Sequence, residues 1–131
     1  MSDVDAAEEW LDSWVAGVDA RARSAVDLSR RVATLTGQAR SEDGLLAVAV
    51  GSGGQLVRLD IDDDARRRSG AELSHDIMAL VGRAQADLSA QVAEQVRETV
   101  GEDTETGRAV INSYAERFPE PTGEPGEDRA R

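Results

Sequence analysis

The central segment Asp43-Gly-Leu-Leu-Ala-Val-Ala-Val-Gly-Ser-Gly-Gly-Gln-Leu-Val-Arg-Leu-Asp-Ile-Asp62 constrains the fold more than any other part of the chain. Apolar residues recur there with a period of two, Val48 and Val50 before Gly51-Ser52-Gly53-Gly54 and Val57, Leu59 and Ile61 after it. That is the pattern of two antiparallel strands joined by a glycine turn. The strand expected at 44–50 is apolar on both faces, with Leu46, Val48 and Val50 on one and Leu45, Ala47 and Ala49 on the other, as in a central strand covered on both sides. The strand expected at 55–62 sets Val57, Leu59 and Ile61 against Leu56, Arg58, Asp60 and Asp62, and reads as an edge or as the partner of another subunit's edge. A weaker alternation over 34–41, ending in the turn-like Ser41-Glu42-Asp43-Gly44, supplies a strand that precedes both. So small a sheet cannot cover itself.

On either side the period becomes helical. A helix over about 3–33 opens on Ser2 and Asp5, spaced as in a capping box, and carries Val4, Ala7, Leu11, Trp14, Val18, Ala25, Leu28 and Val32. This is a heptad seam with Arg21 in one apolar slot. A helix near 30 residues spans ~45 Å at ~1.5 Å per residue, longer than three strands can cover. Part of the seam (Leu11, Trp14, Val18), together with Val48, Val50, Val57 and Leu59 of the strands, is therefore expected at a subunit interface. A second helix, about 70–100, begins at the capping box Ser69-Gly-Ala-Glu72 and presents Leu73, Ile77, Leu80, Val81, Ala84, Leu88, Val92 and Val96. From Ala84 the apolar positions recur every four residues, so the stripe creeps around the helix as its packing partners change. Gly101-Glu-Asp-Thr interrupts it, and a short helix over 105–117 within the segment 101–118 offers Val110, Ile111, Tyr114 and Phe118. The remainder, 119–131, has the Pro, Gly and acid content of a disordered tail. The expected architecture is α+β: one domain over 1–100 in the order α-β-β-β-α, a three-stranded antiparallel sheet between two long helices.

Charge and composition narrow the function. The chain has 131 residues with 40% hydrophobic, which permits one modest core, but aromatic residues make up only 3%. Leu, Val, Ile and Ala must build that core, and they bury less area per residue than rings do. No cysteine is present, so thiolate chemistry and disulfides are excluded. The acidic start Met1-Ser-Asp-Val-Asp is unlike a signal peptide, and no apolar run approaches the ~18 residues of a membrane span, so a cytoplasmic protein without a membrane partner is expected. Net charge is −11, with Asp3, Asp5, Glu8, Glu9, Asp12 and Asp19 unopposed by any base in the first turns. All fifteen basic side chains are Arg, and they gather at Arg21, Arg23, Arg30 and Arg31 and again at Arg66, Arg67 and Arg68. Such clusters grip phosphates or carboxylates bidentately.

Catalytic constellations are missing. His75 is the single histidine and has no nucleophile or second ligand in a motif with it. The run Asp60-Ile-Asp62-Asp-Asp64 opens like a calcium loop, but Ala65 stands where that loop needs Gly and Ala71 where it needs the bidentate Glu. Gly51-Ser52-Gly53-Gly54 leads into a strand, whereas phosphate loops lead into a helix N-terminus. No enzyme activity, cofactor or metal is expected.

The order helix, three strands, helix, with Asp43-Gly44-Leu-Leu-Ala-Val-Ala-Val-Gly, Gly54-Gln-Leu-Val-Arg-Leu-Asp-Ile-Asp and the helix from Leu73 to Ala93, resembles the YbaB/EbfC family of nucleoid-associated proteins, its actinobacterial members above all. The resemblance covers roughly residues 5–100. It implies an intertwined homodimer whose long helices project as arms and which binds duplex DNA with little sequence preference, with a gene-regulatory role. Arg66, Arg67 and Arg68, then Arg21, Arg23, Arg30 and Arg31, are the candidate phosphate contacts by their charge, with pairing to nearby acids as the alternative. A different reading comes from relatives that resemble accessory proteins of type VII secretion: a protein-interaction dimer with little DNA affinity. The chain is not itself patterned as a secreted substrate of that system, since Trp14-Val-Ala-Gly17 is not Trp-x-Gly and the acid expected four residues after Tyr114 is Phe118.

Overall fold

A computed structural model describes residues 2–120. The elements are α1 (Ser2–Ala33), β1 (Gly37–Arg40), β2 (Leu46–Val50), β3 (Leu56–Ile61), a 3-10 turn (Asp63–Arg67), α2 (Gly70–Glu98) and α3 (Glu105–Arg117). The sheet is antiparallel in the order β1-β2-β3, so β2 is central and β3 is an edge. The strand expected over 34–41 is shorter, because Thr34 and Leu35 donate back to the carbonyls of Arg31 and Val32 and close the end of α1 before β1 can begin. The expected tail lies almost wholly in 121–131, outside the described residues.

Two glycine turns shape the sheet. Gly44, at φ 76°, closes the β1–β2 turn by donating to the Ser41 carbonyl, and the Asp43 carboxylate accepts from the Leu45 N–H. Gly54, at φ 84°, closes the β2–β3 turn by donating to the Gly51 carbonyl. Both backbones occupy the left-handed region that only glycine enters without steric cost.

α2 is the element that covers the sheet. Its N-terminus is a reciprocal capping box: the Glu72 N–H donates to the Ser69 hydroxyl at 3.1 Å, and the Ser69 N–H donates to the Glu72 carboxylate at 3.3 Å. The stripe Leu80, Ala84, Leu88, Val92 and Val96, spaced by four residues, is buried against Leu46, Val48 and Val50 of β2 and the inner side of β1. Close approach is built in at Gly37, where a Cβ would overlap the Ala84 carbonyl. The stripe creeps because the partner changes, from the sheet to α3 toward the C-terminal end.

α2 also seals one side of the sheet. The Gln38 N–H of β1 donates to the Asp87 carboxylate at 3.0 Å, and Gln91 donates to the Thr36 carbonyl at 2.8 Å while holding Asp87 at 3.0 Å. β3 receives no such treatment.

α3 packs on α2 and clamps the β2–β3 turn. The Tyr114 hydroxyl donates to the Ser52 carbonyl at 2.9 Å, Arg117 donates to the Gly53 carbonyl at 3.1 Å, and Gln85 of α2 donates to the Gly54 carbonyl at 2.9 Å. The Phe118 ring lies so close to Gly54 that a side chain there would collide with it. Arg117 also stacks over the Tyr114 and Phe118 rings, 5.3 and 4.8 Å from their centroids.

The sheet is not sandwiched between the two long helices. α1 meets α2 through its last turns, where Leu28 is buried and Val32 packs on the core, while the face of the sheet opposite α2 has no helix over it among the described residues. β2 is therefore central but covered by a helix on one side alone. Ala47 and Ala49 lie on the bare side, where the small side chain of Ala49 is shielded by its neighbours.

Candidate nucleic-acid interface

Two kinds of surface stand out, one apolar and one basic. The apolar one begins on α1. Trp10 is 63% exposed and Trp14 55%, and Val4, Leu11, Val15, Val18 and Val26 are also exposed. The seam read from the sequence is thus real as a stripe but covered only at Leu28 and Val32. Arg31 ties this end of the helix down: it donates to Gln95 and Glu98 of α2, each at 3.2 Å, and pairs with Asp27 at 3.2 Å. β3 adds to the apolar surface, with Leu56, Val57, Leu59 and Ile61 all exposed because α2 lies over β1 and β2 and stops short of β3. The pairing shifts between Ala49 and Val50, so Leu56 stands opposite Val50 and Val57 has no cross-strand partner. The apolar row expected for this strand, Val57, Leu59 and Ile61, is accordingly replaced by Leu56, Leu59 and Ile61 on the α2 side of the sheet. Val48 and Val50, expected at a subunit interface, are 3% and 0% exposed and belong to the protomer's own core, whereas Leu11, Trp14, Val18, Val57 and Leu59 are open.

The basic surface is divided by pairing. Arg66 and Arg67 end the 3-10 turn and are exposed, and Arg66 donates to the Asp63 carbonyl of the same turn. Arg68, the next residue, turns inward, where it pairs with Asp43 of the β1–β2 turn and with Asp76 of α2 at 3.5 Å. It joins three elements and is a clasp. Asp62 is used locally as well, since its carboxylate caps the turn by accepting from the Asp64 N–H at 2.9 Å. On α1, Arg23 and Arg30 border one shallow groove with Val26 and Asp27 between them, Arg21 lines a separate one beside Thr104, and Arg31 is taken by its acids. Arg97 is consumed likewise: Glu102 first, then Glu94, hold its guanidinium above the usual arginine range. Of the candidates, Arg21, Arg23, Arg30, Arg66 and Arg67 have no carboxylate partner among the described residues.

A further group is not visible along the sequence because its members are dispersed. The face of the sheet away from α2 forms a shallow hollow of about 530 Å³ with Ala47 and Ala49 as its floor and Arg40, Arg58 and Arg83 among its walls. The strand alternation carried a signal, since Arg40 and Arg58 fall on the polar face of their strands. Arg83 carried none.

The profile of the YbaB/EbfC DNA-binding family matches residues 13–103, from the bare seam of α1 through the sheet and all of α2. The chain belongs to that family. No curated protein matches it. The YbaB/EbfC match stops before α3, so Tyr114, Arg117 and Phe118, the part of the clamp at and beyond α3, lie outside the matched residues. Among the described residues no helix is long and apolar enough to cross a membrane.

Proposed function

We propose that the chain acts as a homodimer that binds duplex DNA with little sequence preference, as a nucleoid-associated protein of the cytoplasm with a regulatory effect on the genes it coats. The carrying observation is a protomer that buries the apolar stripe of α2 while leaving the apolar side of α1 before Leu28 and the apolar residues of β3 exposed. A surface with Trp10, Leu11, Trp14, Val18, Leu59 and Ile61 in water fits a second copy as its cover. Family membership and Arg21, Arg23, Arg30, Arg66 and Arg67, which have no carboxylate partner among the described residues, support DNA as the ligand. Net charge of −11 opposes approach of the duplex at long range. At about 0.15 M salt that repulsion is screened beyond ~8 Å, so local arginine contacts decide affinity. The reading assigns no catalysis.

The experiment is a mobility shift on random duplex across a salt series, with light scattering for mass. Affinity should fall steeply with salt, and Arg66→Ala/Arg67→Ala should lower the slope of log K against log salt by ~0.9 for each phosphate that is no longer neutralised. A second reading, a protein-docking dimer with little DNA affinity of the kind that serves type VII secretion, is favoured by the exposed acids Glu8, Glu9, Asp12 and Asp19 around the bare tryptophans. Dimer mass with no shift even in low salt would select it, and a monomer mass at micromolar concentration would remove the dimer from both readings.

A further inference from the structure

We propose that the sheet face turned away from α2 is a phosphate-backbone contact surface for duplex DNA, with Arg40, Arg58 and Arg83 as the contacting side chains. The inference deepens the DNA-binding reading above and rests on it.

Strand register places the residues. Gln38, Ala49 and Arg58 lie in one cross-strand row and Arg40, Ala47 and Asp60 in the next, all on the face opposite the buried Leu46, Val48 and Val50. Arg40 on β1 and Arg58 on β3 are therefore diagonal neighbours across β2, and Arg83 of α2 lines the same hollow. Between them the central strand offers methyl groups alone, so nothing tall stands where a ligand would rest. Charge is concentrated against the trend of the molecule: three guanidinium groups share this hollow with one carboxylate, Asp60, in a chain of net charge −11. Asp60 is already engaged with Arg58 at 2.8 Å, while Arg40 and Arg83 have no carboxylate partner among the described residues. Asp62, at the end of β3 beside the hollow, spends its carboxylate on the Asp64 N–H.

The chemistry favours phosphates over an acidic protein. Protein partners bind through large apolar or aromatic anchors seated in pockets, and a floor of Ala47 and Ala49 gives none a seat. A phosphate backbone needs only donors and positive charge, and the planar guanidinium presents paired N–H groups to its oxygens. The contacts carry no base-edge readout, in keeping with low sequence preference.

The test is fluorescence anisotropy of the full chain on a random duplex, from about 50 to 200 mM salt, with light scattering on every variant. Arg40→Gln/Arg58→Gln/Arg83→Gln should weaken binding at least ~10-fold at the lowest salt and flatten the slope by ~2–3, at ~0.9 per phosphate. Asp60→Asn, which frees Arg58 and removes the hollow's carboxylate, should act in the opposite direction, tightening binding severalfold. Wild-type binding with an unchanged slope in the triple variant overturns this inference and leaves the DNA-binding reading standing. No wild-type binding overturns both. A triple variant of half the wild-type mass, or displacement of duplex from wild type by polyglutamate at equal charge, also overturns it, by assigning the face to the dimer or to an acidic polypeptide.

Discussion

α1 and α2 are close in length, 32 and 29 residues, and each carries an apolar stripe along its length, that of α1 interrupted at Arg21. Their fates differ. α2 buries Leu80, Ala84, Leu88, Val92 and Val96 inside the protomer, whereas α1 buries only Leu28, so its tryptophans stay in water. An amphipathic stripe specifies which side of a helix must be covered and is silent about which molecule covers it. Two details decide the allocation here. α2 follows the sheet from a capped start and lies over β1 and β2, while α1 is tied to α2 at its C-terminal end by Arg31 and leaves its N-terminal turns without a cover in the protomer.

The contrast can be broken by substitution, the largest effect first. Leu88→Ala, at a fully buried site of α2, should cost about 3–4 kcal/mol of protomer stability, seen as a lower midpoint in urea at any protein concentration. Trp14→Ala on α1 should leave the unfolding of the dilute protomer nearly unchanged and weaken dimerisation by about 2 kcal/mol, or ~30-fold, in sedimentation equilibrium. If the dilute protomer lost as much stability from Trp14→Ala as from Leu88→Ala, the proposed division of labour between the helices would be wrong. Ser69→Ala should cost about 1 kcal/mol by removing the cap of α2, measured as a drop of a few degrees in Tm. Arg31→Gln should be the mildest, at most ~1 kcal/mol and smaller in high salt, because its pairs with Asp27 and Glu98 are partly exposed.

Local rules made much of the fold readable from sequence. The glycines of the β2–β3 turn, the capping box at Ser69 and Glu72 and the four-residue spacing of the α2 stripe each act over a few residues, and each stands where the pattern put it. What escaped depends on distant partners. Arg66, Arg67 and Arg68 are chemically identical, yet Arg68 is drawn inward by Asp43 and Asp76, and no local rule singles it out. Val48 and Val50 looked available to a second chain because the stripe of α2 that covers them lies far along the sequence, beyond the reach of strand alternation. The docking of Tyr114 and Phe118 on the β2–β3 turn is equally remote, and the arginines around Ala47 and Ala49 come together only when the strands pair.

The seal that Asp87 and Gln91 place on β1 has a consequence for how large an assembly can grow. A sheet with two open sides can add strands indefinitely and run on into fibrils. Here Asp87 already holds the Gln38 N–H on the outer side of β1, which disfavours strand addition there and leaves β3 as the open side. Two copies meeting there would use up both open sides at once and present sealed ones outward, which stops growth at a pair and lets β3 keep its apolar, unpaired edge without inviting a polymer.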